Sequence, residues 1–328
     1  MTHLNDSETF KLFSLNSNRP LANKISDGLG VELSDVEIQT FSDGEISISI
    51  NESVRGDHVY VIQSTNLPIN NSYMEIFIMV DALKRASAET VTVIMPYYGY
   101  ARQDVKDQAR KPITAKIMAN LLEESGVDHM ITMDMHSPQL QGFFNIPLEH
   151  MTAVPVLANY YKQRYLDHEN GVVVVPNHSG ANRGREYAEL LDLPLAIMDR
   201  RSSDTVFDET ITVIGDVEGK QCILVDDLSD TGGTLSKVAQ ALLENGAKKI
   251  DVMITHPVLS GEAKASVDAS PINRFIVTDT IDLDDDQISD KIEIVSVSHI
   301  LAEAIKRVHI RDTIRPLYDI ENVEKLEK

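Results

Sequence analysis

CILVDDLSDTGGT, residues 222–234, decides how this chain is read. Four apolar residues in succession, Cys222, Ile223, Leu224 and Val225, suit a parallel strand covered on both faces, where neither side needs to be polar. The run then breaks into Asp226, Asp227 and Asp230, followed by Thr231, Gly232, Gly233 and Thr234. Leu235, Val238, Ala239, Leu242 and Leu243 follow at helical spacing up to Gly246, a stop signal, so the loop opens a helix. A helix N-terminus presents unpaired backbone N–H groups and a positive dipole end, and glycine lets a phosphate come close to that backbone. Three carboxylates beside it would repel a phosphate. They suit sugar hydroxyls or a hydrated magnesium ion instead. The stretch therefore reads as a cradle for a sugar phosphate. A bare DTGG would mean no more than an N-cap aspartate and a glycine-rich turn; the combination with the strand and the acidic pair carries the reading.

Working outward, strand-like apolar runs alternate with helical ones, which predicts parallel sheets joined by right-handed crossovers. In the first half VYVIQS (59–64), VTVIMP (91–96) and MITMDMH (130–136) alternate with helical patterns over 74–88 and 113–124. In the second half GVVVVP (171–176), LAIMD (195–199), CILVDD (222–227), KIDVMITHP (249–257) and RFIVTD (274–279) do likewise. Two similar α/β domains are expected to meet near residues 145–160, although no Pro/Gly/Ser-rich linker marks a boundary. The acidic run 282–290 reads as a surface loop.

Composition sets outer bounds. A chain of 328 residues is long enough for about two domains. One Cys and no Trp exclude a disulfide scaffold and fit a reducing cytoplasm. The first residues, MTHLNDSETFKLF, show no basic region followed by an apolar one, and no apolar run is long enough to span a bilayer, so a cytoplasmic protein is expected. A formal net charge of -21 argues against a nucleic-acid or membrane surface, because both need clustered Lys and Arg. Anionic ligands must then be held by local basic patches. Two qualify: Arg102, Lys106, Arg110, Lys111 and Lys116, and Arg183, Arg185, Arg200 and Arg201, each beside a strand end. There is no G-x-x-x-x-G-K-[ST], G-x-G-x-x-G, H-E-x-x-H or paired-Cys motif, so ATP, if bound, is held by something other than a P-loop.

The 222–234 stretch resembles the phosphoribosyl pyrophosphate (PRPP) binding signature, shared by phosphoribosyltransferases, which consume that compound, and ribose-phosphate pyrophosphokinases, which make it. FSDGEISISI (41–50), MPYYGYARQD (95–104), PITAKIMANLL (112–122), DMHSPQLQGFF (134–144) and THPVLSG (255–261) resemble pyrophosphokinase segments in the same order, from about Lys11 to His309. A PRPP consumer would leave FSDGE and ARQD unexplained. The resemblance implies two similar phosphoribosyltransferase-like domains, each a mostly parallel sheet flanked by helices. Residues 1–150 would carry the ATP side and 151–328 the ribose 5-phosphate loop, with the helix near 300–309 packing back on the first domain. It implies attack of the anomeric hydroxyl of ribose 5-phosphate on the β-phosphorus of magnesium ATP, giving PRPP and AMP. Phe41, Asp43, Gly44 and Glu45 would approach the adenine of ATP, or of ADP, from a neighbouring subunit, while Arg102 and Gln103 address the nucleotide from the other side. Asp226 and Asp227 would meet the ribose hydroxyls or their magnesium. Asp230, Thr231, Gly232, Gly233 and Thr234 would surround the 5-phosphate, and His136 would be a magnesium ligand. A homo-oligomer, a hexamer built from dimers, is implied as well.

The chain departs from that pattern where charge matters. After LAIMD the family usually continues Lys-Arg-Arg, the first and third being catalytic; here stand Arg200, Arg201 and Ser202. Arg for Lys changes reach and hydration, and Ser for Arg removes a charge. The usual Ser-Pro-Asp-x-Gly-Gly reads VPNHSG, which puts neutral Asn177 at a metal-binding Asp position and Ser179 at a Gly position. Val105 stands where an Arg usually follows ARQD, and Gln108 and Lys111 also differ. Two readings follow: a synthase of PRPP, or an impaired paralogue that binds the same ligands and regulates or assembles with an intact homologue.

Overall fold

Valine and isoleucine runs form the inner strands of two sheets, and shorter, half-exposed segments form their margins. The computed structural model describes residues 10–202 and 209–326. It divides into one unit of residues up to 152 with 280–282 and 297–318, and a second of 153–279 with 283–296 and 319 onward. The first unit begins with β1 (Phe10–Ser14), α1 (Arg19–Leu29), β2 (Val36–Thr40), β3 (Ile46–Ile50), β4 (His58–Ile62), α2 (Ile69–Arg85), β5 (Thr90–Met95), α3 (Thr114–Ser125), β6 (His129–Met133) and β7 (Leu148–Met151). Five of these strands form a wholly parallel sheet in the order β1-β4-β5-β6-β7, while β2 and β3 form a separate antiparallel pair. Alternation across the strands sorts the side chains. Val59, Val61, Val91 and Val93 share a core with Ile76, Met79 and Leu83 of α2 and with Ala119 and Leu122 of α3.

Helix ends in this unit follow local chemistry. The Asn18 side chain accepts a hydrogen bond from Leu21 N at 3.2 Å to start α1, and Gly30, at φ +68°, ends it in the left-handed conformation that favours glycine.

The second unit carries α4 (Val154–Arg164), β8 (Gly171–Val175), α5 (Ala181–Leu191), β9 (Leu195–Ser202), β10 (Glu209–Ile214), β11 (Gln221–Ser229), α6 (Gly233–Glu244), β12 (Lys249–Pro257), α7 (Ala263–Ala269), β13 (Arg274–Thr278) and β14 (Ile292–Val295). Its sheet runs β10-β9-β8-β11-β12-β13-β14, parallel except for the β9–β10 pair. All five residues of β8 and the first five of β11 are buried, as uninterrupted apolar runs require. α5 lies very close to the sheet: a Cβ on Gly184 would sit 2.4 Å from Val175 Cγ1.

The chain then returns to the first unit through α8 (Ser298–His309) and ends in the second with α9 (Ile320–Leu326). α8 packs on α1, where an added Cβ at Gly28 would meet Ala302 Cβ at 3.3 Å, and the His309 ring lies edge-on to Phe10. Residues 282–290 form neither helix nor strand. Among the described residues no helix is long and apolar enough to cross a membrane.

Candidate active site

The C-terminal end of β11 is where the second unit concentrates charge. The strand runs past the apolar residues and past the expected Asp227, to Ser229. Parallel pairing continues, with Asp226 opposite Ile254 and Ser229 opposite Pro257, because β12 is equally long. Asp226 and Asp227 are therefore held on rigid strand backbone. Asp227 is 3% exposed. Both carboxylates face one guanidinium: Arg183 Nη1, from α5, lies 3.2 Å from Asp226 Oδ1 and 3.4 Å from Asp227 Oδ1. The Asp227 N–H also donates to Asp226 Oδ1 at 3.0 Å. Burial, and after it the adjacent Asp227 charge, push the Asp226 carboxyl up to about 7, with Arg183 opposing. Arg183 thus contacts both carboxylates.

The loop that follows is fastened from its far side. The turn after β12 supplies Leu259 N to Ser229 O at 3.1 Å and Ser260 N to Asp230 O at 2.9 Å, and the Ser260 hydroxyl donates to the Asp230 carboxylate. Gly232 adopts φ +73°, a conformation that strains other residues, and Gly233 is the first residue of α6. Among the described residues no side chain caps α6, so its first-turn N–H groups, from Gly233 and Thr234 onward, remain available to an anion. Thr231 is exposed in the same loop.

Asn177 follows β8, the neighbour of β11 in the sheet. Its Oδ1 accepts from Gly180 N at 3.0 Å and from Ser179 Oγ at 2.5 Å, so the amide acts as a cap for the turn that leads into α5. Next to it, His178 Nε2 lies 3.2 Å from Asp199 Oδ1. Positions 200 and 202 end β9, opposite Ile211 and Glu209; the side chains of Arg200 and Ser202 lie outside the described residues.

In the first unit, Phe41, Asp43, Gly44 and Glu45 form the exposed tip of the β2–β3 hairpin, closed by Phe41 N to Glu45 O at 2.8 Å and opened by Gly44 at φ +93°. Phe41 is 50% exposed. Arg102 and Gln103 lie beyond the C-terminal end of β5, and Gln103 Oε1 accepts from Thr114 Oγ1 at 2.6 Å. His136 is exposed just past β6, after Asp134 turns the chain at φ +36° and the Met135 N–H donates to His150 Nε2 at 2.9 Å. Arg102, Gln103 and His136 thus follow neighbouring strands of one sheet, while the FSDGE tip belongs to the separate two-stranded pair. Among the described residues no group of three or more His, Cys, Asp or Glu side chains could hold a metal ion by itself.

Comparison with known proteins identifies the family. Residues 10–126 match the N-terminal domain of ribose phosphate pyrophosphokinase, and residues 208–319 match the phosphoribosyl synthetase-associated domain. Ribose-phosphate pyrophosphokinase 2 of Enterococcus faecalis is 51% identical over 312 residues, 95% of this chain and 97% of that one. The chain belongs to the ribose-phosphate pyrophosphokinase family. Ribose-phosphate pyrophosphokinase 1 of Streptococcus pneumoniae is 49% identical over 313 residues. The crystal structure of phosphoribosylpyrophosphate synthetase from Mycobacterium smegmatis superposes with a TM-score of 0.88 at 36% identity, covering 93% of this chain and all of that one.

Arg183, read from the sequence as part of a basic patch for anionic ligands, lies instead against the carboxylates of Asp226 and Asp227. Its bond to Asp226 spans 43 positions, and no local pattern reports a contact of that kind.

Proposed function

We propose that this chain is a ribose-phosphate diphosphokinase that transfers the diphosphoryl group of ATP to the anomeric hydroxyl of ribose 5-phosphate, releasing AMP and giving PRPP for nucleotide synthesis. The observation that carries this reading is the junction of β11 and α6, where an acidic pair compensated by Arg183 stands one loop away from an uncapped helix N-terminus. The two ends suit two ends of one ligand. The N–H groups of Gly233 and Thr234 favour a dianionic 5-phosphate, while Asp226 and Asp227 accept hydrogen bonds from ribose hydroxyls. Asp230, held by Ser260, fixes the distance between them.

Diphosphoryl transfer needs positioning and fixed positive charge rather than covalent chemistry. Arg102 and Gln103 would hold the nucleotide, with Phe41, Asp43, Gly44 and Glu45 reaching the adenine of a neighbouring copy. Position 200 would keep a cation near the transferring group. Asp226 and Asp227 fit a magnesium ion, because two adjacent carboxylates lie against the same guanidinium and one of them has a raised proton affinity. The family resemblance also gives His136, in the first unit, as a magnesium ligand. Asn177 fits less well, since it is neutral and its oxygen already accepts two hydrogen bonds. When bound, magnesium would neutralise phosphate charge. Identity near 50% over nearly the whole chain weighs toward the synthase and against the impaired-partner reading.

The test is AMP and PRPP formation by the purified chain with magnesium, ATP and ribose 5-phosphate. Binding is tested separately. Gly233→Asp combined with Thr234→Ala places a carboxylate at the phosphate site and is expected to weaken ribose 5-phosphate binding roughly 100-fold by calorimetry, since like charge at such a site costs a few kcal/mol. Unchanged binding would remove the loop from the site. A cytoplasmic homo-oligomer, with a hexamer as the family resemblance implies, belongs to the same reading, and the exposed FSDGE tip is free of its own sheet to reach a neighbouring copy. Static light scattering is expected to report an assembly at micromolar concentration with nucleotide present; a monomer would refute it.

A further inference from the structure

The arm that carries Arg102 and Gln103 starts at Gly99, beyond the end of β5, a buried residue whose peptide groups are held by side chains rather than by a strand partner. The Thr65 hydroxyl donates to Tyr97 O at 2.9 Å and accepts from Gly99 N at 2.7 Å. The Tyr73 hydroxyl, from α2, donates to Gly99 O at 2.8 Å. Thr65 is 0% and Tyr73 3% exposed, so water does not compete for these bonds. The approach admits no side chain, since a Cβ on Gly99 would lie 2.5 Å from Thr65 O and 2.7 Å from Ile69 Cδ1. Immediately afterwards Tyr100 turns the chain at φ +64°, and Gln103 N donates to Tyr100 O at 2.9 Å. The far end is tied back as well, by Ala115 N to Gln103 O at 3.2 Å and Tyr98 Oη to Ala115 O at 2.9 Å. Between these ties, residues 105–113 are exposed.

We propose that Thr65 and Tyr73 are positioning residues for the nucleotide: their hydroxyls hold both sides of the Gly99 residue so that Arg102 and Gln103 are presented in one orientation. The proposal rests on the reading of Arg102 and Gln103 as nucleotide-binding residues. Its physical basis is leverage. Arg102 sits three residues beyond the fixed point, so a small rotation at Gly99 displaces its guanidinium by about an ångström, and errors of that size cost roughly 100-fold where reacting groups must align. Two hydroxyls acting on one residue restrict that rotation from both sides. Burial holds the Tyr73 phenol well above its ordinary proton affinity, so it stays a neutral donor across the physiological range.

The test uses full-length variants of matched shape. Thr65→Val and Tyr73→Phe remove only the hydroxyls, Thr65→Ser keeps one in place, and Arg102→Gln serves as a reference for the arm itself. ATP affinity is read by calorimetry, and the KM values for ATP and ribose 5-phosphate by steady-state kinetics. Thr65→Val and Tyr73→Phe are each expected to weaken ATP binding and raise its KM roughly five- to tenfold, the worth of one neutral hydrogen bond, with ribose 5-phosphate within about twofold of the parent. Thr65→Ser should restore most of the loss. The proposal is overturned if both hydroxyl-free variants bind ATP like the parent while Arg102→Gln does not, if both substrates weaken equally, or if Thr65→Ser behaves like Thr65→Val. An Arg102→Gln variant that binds ATP normally instead refutes the reading of the arm, and this proposal with it.

Discussion

The Asp226→Asn variant is expected to melt higher than the parent at pH 8 and to form PRPP roughly 10²–10³ times more slowly, the loss typical of removing one preorganised polar group from a reaction centre. Both effects have the same origin. An unfolded aspartate releases its proton near 3.8, whereas Asp226 in the folded chain holds its proton up to about 7. Between those values the folded state binds more protons than the unfolded one, so this group's contribution to stability falls as pH rises and is least favourable above 7. Asparagine has no proton to lose and leaves Asp227 to pair with Arg183 at 3.4 Å. The difference in melting temperature between variant and parent should therefore grow from pH 5 to pH 8 in metal-free buffer. A difference that is constant across that range would show that Asp226 is not strained by its neighbours. Added magnesium should raise the parent's melting temperature more at pH 8 than at pH 5, because a cation relieves only an ionised pair. A site residue that costs stability is what function retained at the expense of folding looks like.

How much of this was legible beforehand follows from how each segment is buried. β4, β5, β6, β8, β11, β12 and β13 stand out as apolar runs because both of their faces are covered, and a covered strand has no reason to alternate. β1, β7 and β14, at sheet margins, do not: LEHM of β7 and IEIV of β14 are four residues each and mostly half-exposed, too short and too mixed for any periodicity to register. β10 escaped notice for a related reason, as an antiparallel margin strand beside β9. The turn before α6 was readable as a helix start because its glycines and the helical spacing that follows lie within a few residues of one another. Arg183, Thr65, Tyr73 and Ser260 were not. Each does its work on a residue between 26 and 44 positions away, and before folding each looks like an ordinary helix arginine, strand-exit threonine, core tyrosine or turn serine.

Restoring Asn177→Asp, Arg200→Lys, Ser202→Arg and Val105→Arg together is expected to raise kcat by roughly 10²-fold or more while changing KM much less. By the family resemblance, Asn177, Ser202 and Val105 each lack a charge expected to face magnesium or the transferring diphosphoryl group, and Arg200 alters where its charge sits. Charge of that kind is felt most strongly in the transition state, where phosphate oxygens gain it, so its return lowers the barrier more than it tightens ground-state binding. The structure shows why two of the changes should fold without cost. An aspartate at 177 can accept the same hydrogen bonds from Gly180 N and Ser179 Oγ that the asparagine accepts now, and Asp is as good a cap as Asn. Val105 is 64% exposed, so an arginine there enters solvent rather than a core. Single reversions should do little, because groups that stabilise one transition state act as a unit and a single charge does not rescue a deficit of several. The measurement is kcat and KM for both substrates on an assembly shown by light scattering and thermal melting to be intact. A parent chain that already turns over at the ~1–100 s⁻¹ common among kinases, or a combined reversion with unchanged kcat, would show that these substitutions are neutral and that the surrounding residues have taken over the charge they lack.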